Sequence, residues 1–183
     1  MSVLPPTFAE LVAESGQIVH GRVVSVQPYR STTPDGRSLI KTRVTWEVDC
    51  TLKGSAATTL TLDFLGGRVG TEALAVPGMP QFSVGNEDFL FVEPNHEVIC
   101  PLIAAGHGRY RVQRDASTGQ RFVARQNGQP LTDPARVVES LEAPTVSPAS
   151  PASAPASGPL TPEGFESAIR TAVQQSTALP NAR

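Results

Sequence analysis

The strongest pattern in the chain is a two-residue alternation of apolar and polar side chains over residues 39–53. A period of two is that of a β-strand with one buried face, so these residues predict one long strand. At ~3.3 Å per residue the strand is too long to stay flat, and the natural twist of sheets makes it curl. A long curled strand is typical of a small barrel. The mostly apolar series consists of Ile40, Thr42, Val44, Trp46, Val48, Cys50 and Leu52.

Further strands are predicted on both sides of this one. Residues 17–27 are rich in β-branched side chains, which favour a strand, and Gly21 in their middle predicts a bulge or a sharp bend. The remaining predicted strands cover residues 60–64, 89–92, 109–114 and 121–125, and a polar turn joins the last two as a hairpin.

Helices are predicted before and after the strands. Thr7 and Glu10 form a capping box that starts a helix over residues 7–15. Asp133 and Pro134 suit the first positions of a second helix. A third helix starts near Thr161, and we expect its apolar stripe to dock on the same domain, with docking on another chain as the alternative. The stripe consists of Phe165, Ala168, Ile169, Ala172 and Val173.

These elements divide the chain into three parts. Residues 6–142 are expected to form a mainly β domain, a small closed OB-like barrel of five to six strands with an N-terminal helix and C-terminal helices. Residues 143–160 are rich in Ala, Pro and Ser, a composition typical of an extended linker. Residues 161–175 form the C-terminal amphipathic helix.

Composition and charge narrow the function classes. The net charge of -2 gives no general attraction to nucleic acid or to anionic membranes. No apolar run approaches the roughly 20 residues that span a bilayer. No signal-peptide pattern precedes Leu4, so we expect either a cytoplasmic protein or one whose signal peptide has been removed.

Several stretches of the chain resemble a group of uncharacterised secreted bacterial proteins. The stretches are FAELV at 8–12, IVHGRV at 18–23, VDCTLKG at 48–54, VPGMP at 76–80 and GRYRV at 108–112. The resemblance covers most of residues 6–127 together with the last helix. It implies an exported protein, periplasmic or secreted.

A strand with a glycine bend, followed by a long strand that ends in Leu-Lys-Gly, is also similar to the OB-type barrel of tissue inhibitors of metalloproteinases and netrin-like modules. This similarity implies a barrel and an inhibitor-like or accessory role toward a secreted protease. Those inhibitors bind the protease zinc through an N-terminal cysteine, and no cysteine precedes Cys50 here. The similarity therefore extends to the fold and not to that mechanism.

Cys50 and Cys100 are the two cysteines of the chain. In an exported protein they could form a disulfide that closes a loop of about 50 residues, worth about 3–4 kcal/mol in the chain-entropy account. The alternative is a pair of buried thiols that behave as small apolar side chains. Both interpretations stay open at the level of sequence.

No pattern for catalysis or metal binding is evident. His20, His96 and His107 lack the close spacing that zinc sites usually show, so we expect no metal and no cofactor. Cys100 and His107 could act as a nucleophilic pair only if the fold brings them together, and no oxyanion turn or third residue accompanies them. We therefore expect a protein that is not an enzyme.

The predicted hairpin supplies one candidate binding surface. Arg109 and Arg111 on its first strand, and Arg121 and Arg125 on its second, are expected to share one face. Four guanidinium groups on one ribbon could bind carboxylates or phosphates by paired hydrogen bonds. The alternative is a solvated hairpin whose charges protect an edge strand from aggregation.

The loop over residues 65–82 supplies the other candidate surface. It is unusually apolar for a solvated loop and contains Val76, Met79 and Phe82. We expect it to fold over the end of the barrel as a plug, and the alternative is that it presents these side chains to a partner.

These observations favour a non-enzymatic exported domain that binds a protein or an extracellular polymer. The alternative is an OB-type module that binds an oligonucleotide or polyanion through the arginine hairpin. Nucleic acid is the less favoured partner because no aromatic side chains alternate with the arginines on the basic face.

Overall fold

The computed structural model describes residues 6–94, 99–138 and 158–178. Strands dominate this part of the chain, which confirms the predicted mainly β fold. The helices are α1 (Phe8–Glu14) and α2 (Pro162–Ala178), with short 3-10 helices at Ala105–Gly108 and Pro134–Val138. The strands are β1 (Gln17–Thr32), β2 (Ser38–Lys53), β3 (Thr59–Leu65), β4 (Gly67–Val69), β5 (Glu72–Leu74), β6 (Glu87–Val92), β7 (Arg109–Arg114) and β8 (Arg121–Arg125).

Six strands form one antiparallel sheet in the order β3-β2-β1-β6-β7-β8, and β4 and β5 form a separate two-stranded sheet. Within the described residues no pairing joins β3 to β8, so the large sheet is open. The predicted closed barrel is therefore not confirmed. None of the described helices is long and apolar enough to cross a membrane.

The ladder of the long β1–β2 hairpin contains irregularities of the kind that bend strands. The pairing register shifts between His20 and Gly21 and twice more along β1, which confirms the predicted bulge. A Cβ atom at Gly21 would lie 2.4 Å from the main-chain oxygen of Glu47, so only glycine allows this close approach. β1 extends to Thr32, five residues beyond its predicted end, because it pairs with β2 as far as Ser38.

Both faces of the sheet are covered by apolar side chains. One face packs against α1 and α2, where Leu11, Phe165 and Ile169 are fully buried. On the other face, β1, β2, β3 and β6 enclose a second core layer around Trp46. We call these the helix-side core and the concave core.

The helices agree only in part with the sequence. The capping box at Thr7 and Glu10 is confirmed. The helix predicted at Asp133 is a short 3-10 helix over the described residues, although Asp133 Oδ1 accepts a hydrogen bond from the Ala135 amide at 2.7 Å, as an N-cap does. Residues 139–142 and most of the predicted linker, 143–157, lie outside the described residues.

Candidate functional site

The predicted face of four arginines is wrong, because the register of the hairpin separates them. Arg111 lies opposite Ala124, and Arg125 lies opposite Tyr110. Residues directly opposite each other in an antiparallel pair share a face, so odd-numbered positions of β7 face the same way as even-numbered positions of β8. Arg109 and Arg111 therefore lie on one face of the ribbon, and Arg121 and Arg125 on the other.

Arg109 lies in the concave core rather than on the surface. Its side chain is 2% exposed, and it donates from Nε to Asp88 Oδ1 at 2.9 Å. Asp88 is fully buried and also accepts a hydrogen bond from Trp46 Nε1 at 3.2 Å. Burial lowers the pKa of Arg109, and the carboxylate of Asp88 opposes that effect. A buried charge needs a partner of opposite charge, so we assign the Arg109–Asp88 ion pair a structural role.

The other three arginines of the hairpin differ in their surroundings. Arg121 forms ion pairs with Glu87 on β6 and with Glu163 on α2, the latter at 3.7 Å. Arg125 is buried at the end of β8, whereas Arg111 is half-buried. Whether Arg111, Arg121 or Arg125 binds a ligand stays a prediction.

The two surfaces predicted from the sequence meet at Arg109 and Phe82. The guanidinium carbon of Arg109 lies 4.1 Å from the centre of the Phe82 ring, and Arg109 Nη1 donates to the main-chain oxygen of Gln81 at 2.6 Å. The Phe82 ring also contacts Trp46 edge-on, with centroids 5.2 Å apart. Arg109 thus fixes the end of the predicted loop onto the concave core.

A pocket of about 410 Å³ lies beside this contact, between the sheet and the segment 66–82. Strands β1, β2 and β3 form its floor, and β4, β5 and the loop that follows β5 form its wall. The apolar part of the lining includes Val26, Phe64, Leu74, Val76, Met79 and Phe82. Met79 and Phe82 are partly buried against the concave core, so these predicted binding residues both cover the core and line the pocket.

The small β4–β5 sheet covers the pocket as a flap, by which we mean residues 66–76. Thr42 Oγ1 on β2 donates to the Gly66 carbonyl at 2.7 Å, and the Gly66 amide donates to the Ile40 carbonyl at 2.8 Å. At its far side, Arg30 Nη1 donates to Glu72 Oε2 at 2.7 Å, which ties the flap to β1. The sequence predicted only a loop here, because strands of three residues show no measurable alternation.

His20 belongs to a second polar cluster, which joins the sheet to α2. Its Nε2 lies 2.8 Å from Glu87 Oε1, and its Nδ1 lies 3.2 Å from Glu166 Oε1 on α2. The imidazole also stacks on Phe89, with centroids 4.2 Å apart. Both ring nitrogens of His20 thus have a carboxylate partner.

His20, His96, His107 and Cys100 are the residues that the sequence offers for metal binding or nucleophilic chemistry. Over residues 6–94, 99–138 and 158–178, no group of three His, Cys, Asp or Glu side chains could hold a metal, and His96 lies outside these ranges. Burial raises the pKa of Cys100 to about 11, which disfavours the thiolate form. Burial and the nearby Arg125 lower the pKa of His107.

The suggested disulfide between Cys50 and Cys100 is absent. Both thiols are free, and they pack against different faces of the sheet, Cys50 on the helix-side core and Cys100 on the concave core. Cys50 lies on β2 and Cys100 lies in the connection that follows β6. Since the two thiols are on opposite sides of the same sheet, the sheet separates them. Arg170 Nη2 on α2 lies 2.9 Å from Cys50 Sγ.

Comparison with models of known protein families gives no match, and comparison with curated proteins gives none either. The resemblances noted in the sequence therefore stay predictions. The pocket is interpreted below from its own geometry.

The sequence missed Asp88 and Glu87, the acidic partners of Arg109 and His20. One signal was present. Asp88 immediately precedes the apolar run 89–92, and a carboxylate buried at the start of such a strand stays ionised only with a cation or hydrogen-bond donors nearby. Which arginine supplies that cation depends on the strand order, which local patterns do not contain.

Proposed function

We propose that this chain is a non-enzymatic exported binding domain, and that the pocket under the flap holds an apolar group of its partner. The observation that carries the proposal is the open pocket of about 410 Å³, lined mainly by apolar side chains. Its volume lies in the range of ligand sites, roughly 300–1,000 Å³.

The position of the pocket on the sheet supports the same proposal. OB-type barrels bind oligonucleotides and oligosaccharides on the face of their second and third strands. Here β2 and β3 contribute Thr42, Phe64 and Leu65 to the pocket. We accordingly interpret the strand order β3-β2-β1-β6-β7 as that of an OB-like barrel that is open at one side, with the binding face in its usual place.

The alternative of a polyanion-binding hairpin loses its main support. It required four guanidinium groups on one face, whereas the register divides them and Arg109 is committed to Asp88. An affinity for heparin that falls steeply with salt and disappears in an Arg111→Gln, Arg121→Gln double variant would restore it.

The proposal is tested with an apolar fluorescent probe, anilinonaphthalene sulfonate. Ala73 on the flap is exposed and lines the pocket, so Ala73→Trp fills the space without disturbing the core. Ala56, in the exposed turn between β2 and β3, is outside the lining, so Ala56→Trp is the matched control. Circular dichroism checks that both variants are folded.

We expect saturable binding of the probe by the wild-type chain and by Ala56→Trp. In Ala73→Trp we expect the affinity to fall at least ~10-fold, equivalent to about 1.4 kcal/mol of binding free energy. Equal affinity in the two variants would overturn the assignment of this pocket. Export is tested separately by fractionating cells that express the natural gene. Recovery of the protein in the cytoplasmic fraction would contradict the proposal that it is exported.

A further inference from the structure

Arg68 is the charged residue among the lining of the pocket. It lies in β4, on the flap, and is exposed. Its direct neighbour across the flap is Ala73, which also lines the pocket. The methyl group of Ala73 is too small to cover the guanidinium of Arg68 and cannot accept a hydrogen bond from it. The N–H donors of Arg68 are therefore not used by this neighbour.

The acidic side chains of β3 and β5, the strands that precede and follow β4 in the chain, already hold other arginines. Glu72, on the strand paired with β4, accepts a hydrogen bond from Arg30 at 2.7 Å. Asp63, on β3, accepts two hydrogen bonds from Arg43, both at 2.9 Å. In the part of the chain that the structure describes, no ion pair or hydrogen bond to a carboxylate is found for Arg68.

Two polar groups of the lining residues are also occupied. The Thr42 hydroxyl donates to the Gly66 carbonyl, and the main-chain oxygen of Gln81 accepts from Arg109. The remaining surface comes mainly from aliphatic and aromatic side chains such as Phe64, Leu74 and Met79. The pocket thus combines an apolar interior with one cation on the flap.

We propose that the occupant is a small amphiphilic carboxylate of the fatty-acid type. Its alkyl chain fills the apolar pocket, and its carboxylate pairs with the guanidinium of Arg68. Arginine suits this role because its planar fork donates two parallel hydrogen bonds to a carboxylate. The inference rests on the proposed function, because it names the chemistry of the group that the same pocket holds.

The test compares decanoate with decan-1-ol, which has the same chain and no charge. Binding is measured by calorimetry at pH 7.5, where the carboxylate is ionised, with the full chain. The variants are Arg68→Gln, which removes the charge, and Arg68→Lys, which keeps it. Arg114→Gln is the matched control, because Arg114 is an exposed arginine outside the lining that donates to the main-chain oxygen of Gly119.

We expect the wild-type chain and Arg114→Gln to bind decanoate at least ~10-fold more tightly than decan-1-ol, as a charge-assisted contact requires. In Arg68→Gln the preference disappears while the affinity for decan-1-ol stays unchanged. In Arg68→Lys part of the preference remains.

Other outcomes overturn the inference in distinguishable ways. Equal binding of decanoate and decan-1-ol by the wild-type chain would overturn the proposal that a carboxylate pairs with Arg68. A preference for decanoate that survives in Arg68→Gln would overturn it as well. The occupant would then be an apolar protein segment or a second copy of the chain. If neither decyl compound nor the fluorescent probe binds, the proposed function fails as well.

Discussion

The guanidinium of Arg109 is buried in the concave core, where the carboxylate of Asp88 neutralises its charge. The carboxylate also receives the indole N–H of Trp46, so three strands, β2, β6 and β7, meet at one buried group. The side of Arg109 that does not face Asp88 holds Gln81 and Phe82. The same side chain therefore stabilises the sheet and positions one wall of the pocket.

Removing Asp88 is expected to destabilise the whole protein. Asp88→Ala leaves the guanidinium of Arg109 buried without its carboxylate, which costs about 3–5 kcal/mol. Asp49→Ala, at an exposed position of β2, should change the free energy of unfolding by less than about 0.5 kcal/mol. Urea unfolding followed by tryptophan fluorescence measures both. A loss below about 1 kcal/mol in Asp88→Ala would show that the pair contributes little to stability.

Residue identity alone could not have given this role to Arg109. Alternation along β7 correctly divides its residues into two faces, and it put Arg109 on the face opposite Tyr110. Both faces of the sheet are covered, however, so neither face is wholly solvated. Arg109 can be buried because β6 supplies the carboxylate of Asp88 beside it, and that neighbour is set by the fold.

At the scale of elements, the flap depends on the glycine that begins β4. Gly67 has a φ of +133°, and a Cβ atom there would lie 2.4 Å from Thr42 Oγ1. The flap can approach β2 this closely only because the side chain is absent. The hydrogen bond from Thr42 to the preceding carbonyl keeps that approach in place.

Gly67→Ala is expected to move the flap away from β2 and to weaken probe binding in the pocket about 5-fold or more, a cost of about 1 kcal/mol. Gly70→Ala is the matched control. Gly70 also has a positive φ, +61°, but no atom lies within 4 Å of its added Cβ. Fluorescence titration of both variants measures the difference. Equal affinities in the two would mean that the contact with Thr42 does not shape the pocket.

The sequence predicted each strand of five or more residues and missed the two three-residue strands of the flap. β2 runs from Ser38 to Lys53, one residue longer than the alternation over 39–53 indicates. A single apolar face does not continue along it, because Trp46 packs in the concave core and Leu52 in the helix-side core, with a register shift between them. The flap is set instead by glycine conformations and by three hydrogen bonds to β1 and β2, which come from residues far away in the sequence. Local patterns contain no information on such contacts.

At the scale of the molecule, α2 completes the helix-side core. Phe165 is fully buried and its ring lies near those of Phe89, Phe91 and Tyr110. Around this contact, Glu166 lies beside His20, and Glu163 pairs with Arg121. The last helix therefore packs on the sheet of the same chain through an apolar centre with polar contacts at its rim.

Phe165→Ala is expected to cost about 3–5 kcal/mol of unfolding free energy, because it opens a cavity among aromatic rings. Phe165→Leu should cost less, since it keeps most of the buried volume. Ala substitution of Gln174, an exposed residue of α2, is the control for helix content. Guanidinium unfolding measures all three. An unfolding free energy unchanged in Phe165→Ala would mean that α2 contributes nothing to the core.

Closure of the sheet was the part of the fold that the sequence could not determine. Alternation and turns predict strands and hairpins, but the pairing of the outermost strands joins residues far apart in the chain. The large sheet ends at β3 and β8 without such a pairing among the described residues. The space left on the concave side is where the flap and the pocket lie.

The central claim is that this pocket is the binding site, and amide NMR spectra recorded during a titration with decanoate test it most directly. We expect the shift changes to concentrate on residues that line the pocket, such as Val26, Thr42, Leu65 and Gly67, with α1 and α2 unaffected. Changes confined to the helix side, or an absence of changes at saturating decanoate and at saturating anilinonaphthalene sulfonate, would contradict the account.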